Sequence, residues 1–100
     1  MLQIKKEMEN NDLLVSLQGR LDTGTAPDIE NALKDEMDNV KSLTIDMKEL
    51  EYISSAGLRV LLSLQKTMNK QGSMVIKNVS EEIMEIFEIT GFTDILTIES

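Results

Sequence analysis

Thr44-Ile45-Asp46-Met47-Lys48-Glu49-Leu50-Glu51-Tyr52-Ile53-Ser54-Ser55-Ala56-Gly57-Leu58-Arg59-Val60-Leu61-Leu62 sits near the middle of the chain. Its left half alternates, with Leu43, Ile45 and Met47 on one side, which predicts a strand over 42–47. Its right half changes period. Leu58, Leu61, Leu62, Gln65 and Met68 form a helical stripe, broadened by Val60 and Leu64, which predicts a helix over 56–70 stopped by Gln71-Gly72. Two serines and a small Ala-Gly pair stand at the junction. Small residues at a helix start leave its N–H groups uncrowded, and those groups and the helix dipole favour an anion. A serine capping such a helix stands at the surface, where an added phosphate is electrostatically tolerated. By residue type alone, capping is the ordinary role for either serine.

The flanks extend the strand–helix alternation. Towards the N-terminus, residues 2–8 read as a strand with Leu2, Ile4 and Met8 on one face and Lys6 interrupting it. Glu9-Asn10-Asn11-Asp12 reads as a turn, and Leu13, Val15 and Leu17 mark a second strand ended by Gly19, so the pair predicts a hairpin. A helix is expected over 26–38. Thr25 is its candidate cap, Asp28 completes a capping box, Pro27 fits the first turn, and Glu30 and Lys34 pair at i,i+4. Ile29, Leu33 and Met37 give it a buried face. Towards the C-terminus, Met74-Val75-Ile76 is a buried-type strand. Ser80 caps a third helix that Gly91 ends, and Ile95, Leu96 and Ile98 form an edge strand.

The order is β-β-α-β-α-β-α-β, an α/β class with a mixed sheet packed against helices. One domain over 1–100 is expected from the length of 100 residues. Polar positions such as Thr44 and Asp46 suit a sheet covered by helices on one face.

Composition excludes much chemistry. The chain has no Cys and no His, so it has no disulfide, no Cys-rich zinc site, no Ser–His triad and no His-bound metal. A net charge of -8 argues against nucleic acid. Neither a signal peptide nor a membrane-spanning run is read, and a cytoplasmic protein is expected. The stretch lacks a P-loop spacing and a nucleophile elbow. Asp22, Asp46 and Glu49 lack the spacing of a metal loop, so no metal or cofactor is expected and Asp46 should bond locally. Asp22 suits an Asx-turn before Thr23-Gly24. Arg59 lies off the apolar stripe, on a face that is solvated by default. After Lys77 come six acidic residues and no basic one, a solvated face that can steer a basic partner.

Four segments together resemble the STAS domain of bacterial anti-sigma factor antagonists. They are Leu17-Gln18-Gly19-Arg20-Leu21-Asp22, Asp46, Ile53-Ser54-Ser55-Ala56-Gly57-Leu58 and Thr90-Gly91-Phe92. The resemblance implies a STAS-type fold and a non-enzymatic phospho-switch. Its partner would be an anti-sigma factor that is also a serine kinase of the histidine-kinase ATPase fold, with a separate serine phosphatase resetting the switch. Aligned on Gly57-Leu58, the family's phosphoserine falls on Ser55, with Ser54 the alternative. The implied partner surface is Asp22, Thr23, Ser54, Ser55, Ala56, Gly57 and Arg59. Here Ser54 replaces the Asp that often precedes the phosphoserine, and Ala56 replaces a frequent Ser or Thr. Two other readings compete. One is a STAS interaction subunit indifferent to phosphorylation, with Ser55 only a cap. The other is a nucleotide- or anion-binding module using the same helix start.

Overall fold

The computed structural model describes residues 2–99. Strands β1 (Leu2–Glu9) and β2 (Asp12–Leu21) form the expected antiparallel hairpin, paired from Leu2–Gly19 to Glu9–Asp12. Its tip is the two residues Asn10-Asn11, and Asn10 takes φ 57°, a left-handed state that Asn tolerates better than most side chains. Gly19 does not end β2. At φ 108° it stands at a slip in register, and the strand runs on to a buried Leu21.

Helix α1 (Ala26–Leu33) is shorter than the expected 26–38 and is followed by a 3₁₀ turn over Met37–Asn39. Side chains from distant elements claim the carbonyls in this region. Lys6 Nζ donates to Ala32 O at 2.7 Å and pairs with Glu36 at 2.7 Å. Gln71 Nε2 donates to the carbonyls of Met37 and Val40. Lys6 therefore interrupts the alternation of β1 for a reason. It stands opposite Val15 and carries a cation to the negative end of α1. The ion pairs of the described residues are Lys6–Glu36 and Lys77–Glu99, so the expected Glu30–Lys34 pair is not formed. The expected capping box also fails, because neither Thr25 nor Asp28 makes a side-chain cap bond.

β3 (Ser42–Ile53) runs six residues past the predicted end at 47. Its buried positions are Leu43, Ile45, Met47, Leu50 and Ile53. The spacing widens from two to three after Met47 because the register with β2 slips twice. Ser16 faces Asp46, Gln18 faces Glu49, Gly19 faces Leu50 and Arg20 faces Tyr52. Each slip leaves one unmatched residue in β3, as in a β-bulge.

α2 (Ser55–Gln71) then leads to β4 (Ser73–Lys77), α3 (Glu81–Thr90), a 3₁₀ turn at Phe92–Asp94 and β5 (Ile98–Glu99). Ser80 Oγ accepts from Ile83 N at 3.3 Å, and Gly91 closes α3 at φ 81°, both as expected. Ile95 and Leu96 precede the last strand and do not pair in it; among the described residues its paired positions are Ile98 and Glu99.

The sheet order is β1-β2-β3-β4-β5, antiparallel in the hairpin and parallel thereafter. α2 packs on β3, β4 and α1, and α3 reaches β3. Leu13, Val15, Leu17, Leu43, Ile45, Met47, Met74 and Ile76 fill the core from the sheet side, and Leu61, Met68, Ile83 and Phe87 meet them from the helices. Ser16, Gln18, Thr44 and Asp46, on the other face, stay partly or fully open to solvent. Helices thus cover one face, and polar outer side chains make the bare face compatible with water.

Candidate functional site

Because β2 and β3 are parallel neighbours, their ends coincide. Leu21 pairs with Ile53, and Ser54 N donates to Leu21 O at 2.8 Å. The chain therefore leaves the sheet twice at one end of its strands, through the Asp22–Thr25 loop and through Ser54-Ser55. Two remote stretches of sequence become one surface.

The two serines have different duties. Ser54 is extended, at φ −99° and ψ 176°, and its Oγ accepts from Gly57 N at 3.4 Å. Ser54 is therefore the N-cap, which removes the cap role that the competing reading gave to Ser55. Ser55 is the first helical residue and is exposed, and none of the side-chain hydrogen bonds among the described residues uses its hydroxyl. A group added to Ser55 Oγ leaves the cap intact, whereas one on Ser54 displaces it.

Gly57 does not reach the surface. A Cβ there would lie 2.7 Å from Leu21 Cγ and 2.9 Å from Ile53 Cγ1. Its lack of a side chain lets α2 settle onto the ends of β2 and β3, so Gly57 shapes the site from beneath. Ala56 is half-buried beside it.

The Asp22 loop is tied by its own hydrogen bonds. Asp22 Oδ1 accepts from Gly24 N at 3.0 Å and from Thr25 N at 3.1 Å, an Asx-turn as expected. Asp22 O accepts from Ala26 N at 2.8 Å, so its backbone opens α1. The Thr25 hydroxyl is occupied upstream, donating to Arg20 O at 2.8 Å and accepting from Asp22 N at 2.8 Å. Desolvation works against the Asp22 anion, but the bonds from Thr25 and Gly24 outweigh it and hold the carboxyl below its ordinary value of 3.8. Asp22 is thus a fixed negative charge.

Thr23, Ala26, Pro27 and Glu30 on one side and Ala56, Arg59 and Val60 on the other line an open groove of about 360 Å³ between the starts of α1 and α2. Pro27 and Glu30 were not expected at the site, and their place depends on α1 packing against α2. Arg20 was also missed. Its guanidinium stacks on the ring of Tyr52, 4.4 Å from the centroid, on the strands feeding the site. Only the slipped register makes these two neighbours, so simple alternation gives no signal for them. Asp46 lies within β3 and away from the site; it accepts from Lys48 N at 2.9 Å, the local bond expected of it, and also from Asn78 Nδ2 at 3.0 Å, a residue 32 positions on that was not expected. Among the described residues no cluster of three metal-ligating side chains occurs.

The family model of the STAS domain matches residues 3–100. The chain is a member of the STAS domain family. This STAS domain is 31% identical over 100 residues to the anti-sigma-B factor antagonist of Bacillus subtilis, covering 99% of this chain and 92% of that protein. It is 33% identical to the anti-sigma-B factor antagonist of Listeria monocytogenes, covering 95% of this chain and 85% of the relative. Its fold matches the Bacillus anti-sigma factor antagonist SpoIIAA. The unphosphorylated form has a TM-score of 0.78 at 16% identity, covering 98% of this chain and 88% of that one. The phosphorylated form has a TM-score of 0.77 at 17% identity, covering 98% and 92%.

Proposed function

We propose that this STAS domain is an anti-sigma factor antagonist. In its unmodified state it captures an anti-sigma factor that is also a serine kinase, which frees a sigma factor. Phosphorylation of Ser55 ends the capture, and a phosphatase restores it. The observation that carries this reading is the division of labour between the serines. Ser54 holds the helix, while the exposed Ser55 hydroxyl is free for an incoming phosphoryl group. The names of the curated relatives supply the partner class.

The physics suits a switch that works at the surface. A phosphoserine carries roughly −1.5 to −2 charge at neutral pH. At the positive end of α2 this charge is tolerated by the fold. A partner docked over Asp22, Thr23, Ser54, Ser55, Ala56 and Arg59, with Gly57 shaping the floor, meets the new bulk and charge directly. Asp22 adds to the repulsion of acidic partner groups. The kinase supplies the nucleotide, and the chain itself performs no catalysis.

Affinity capture with wild type and Ser55→Asp as parallel baits tests the proposal. Expected is a kinase of the ATPase fold on wild type, lost from the Asp bait, with phosphate on Ser55 in part of the wild-type protein. Retention of the same non-kinase partners by both baits overturns it in favour of a phosphorylation-independent interaction subunit.

A further inference from the structure

We propose that Arg59 is an internal receptor for a phosphate on Ser55, so that modification also withdraws the cation from the α1–α2 groove. This rests on Ser55 being the modified residue. Ser55 and Arg59 are both exposed and stand four positions apart on α2, on one face of the helix. Helical side chains lean towards the N-terminus, so Arg59 leans over the turn that Ser55 opens. Arg59 forms no salt bridge among the described residues, and its guanidinium is available. Its five donors and planar fork suit a phosphate better than any other side chain.

The groove gives the pairing a consequence. Arg59 lines it from α2 and Glu30 from α1, together with Ala26, Pro27 and Val60. When Arg59 turns to the phosphate, Glu30 keeps its charge and loses a counter-charge. The groove changes from mixed to acidic one helical turn away from the modified atom. A partner that places an acidic group near Arg59 therefore loses an attraction as well as meeting a repulsion.

The test needs no kinase. Phosphoserine is installed at position 55 of the full chain during translation, in wild type, Arg59→Gln and Arg59→Lys backgrounds. The second phosphate ionisation is followed by ³¹P NMR. Asp22 and Glu30, the charged side chains of the neighbouring loop and helix, are common to all three proteins, so the difference isolates Arg59. With Arg59 the midpoint is expected at least about 0.3 pH unit below that of the Gln variant, with the Lys variant between. The Arg59 Nε–H resonance should also move on phosphorylation. An equal midpoint in wild type and Gln variant, with an unmoved Arg59 signal, overturns the proposal. That result leaves the capture experiment unaffected, because partner loss on Ser55→Asp is read without Arg59.

Discussion

At the scale of residues, adjacent serines hold different places: Ser54 caps α2, and Ser55 is exposed. Ser54→Ala removes the N-cap acceptor for Gly57 N and should cost about 1 kcal/mol in chemical denaturation. Ser55→Ala removes an exposed hydroxyl outside any described bond and should stay within about 0.5 kcal/mol of wild type. Equal losses from both would show that the cap is shared. Asp22 gives a pH dependence of known sign. Its folded carboxyl titrates below the unfolded value, so the ionised group stabilises the fold above that value. The contribution begins to fall as pH drops towards 3.8 and is gone once pH has passed below the lowered folded value. Wild type should therefore exceed Asp22→Asn at pH 7 and converge with it in strong acid, as measured by urea titration. A gap that does not change with pH would remove the anion from the account.

At the scale of elements, Gly57 is where a helix meets two strand ends. Gly57→Ala gains helix propensity worth about 1 kcal/mol but must push a methyl against Leu21 and Ile53, both buried. Overpacking should win, with a net loss of about 1–2 kcal/mol. Partner affinity should fall with it, since α2 has to lift from the sheet. A more stable Gly57→Ala protein would mean that the site yields more readily than the close packing implies. The elements also show how much the sequence could reveal. Hairpin, helix α2, the Ser80 cap and the Gly91 stop were legible because each depends on neighbours in sequence. The end of α1 was not, because Lys6 and Gln71 reach it from 26 or more residues away. The second half of β3 was hidden by its bulges. Met47, Leu50 and Ile53 recur every third residue, a spacing that does not read as a strand. At the candidate site, Ser55 and Asp22 were expected through family likeness alone. Which serine caps the helix required backbone angles.

At the scale of the whole molecule, the sheet is layered on one side and has short or open edges. Among the described residues β2 and β3 are paired on both sides, β1 has a free edge, and β5 consists of Ile98 and Glu99. Native-state hydrogen exchange should find the amides of β2 and β3 slowest and those of β1's free edge and β5 among the fastest of the sheet. Protection of β5 equal to that of β3 would contradict this gradient. Ser54 is bonded to the end of β2, in the most protected part, so phosphorylation should leave exchange in β2 and β3 unchanged.

The two bulges of β3 make the position of Ser54 and Ser55 a matter of counting. Twelve residues, Ser42–Ile53, run beside ten, Asp12–Leu21, with matched partners at both ends. Each surplus residue belongs to one bulge, so the excess can be trimmed one residue at a time. Deleting Lys48 or Glu51 should remove a bulge while Gln18–Glu49 or Arg20–Tyr52, and with them the place of Ser54, keep their register. A deletion with no bulge beside it has no surplus to absorb it and turns the following side chains to the opposite face. Lineages of this domain should therefore vary the length of this strand in single steps at its two bulges.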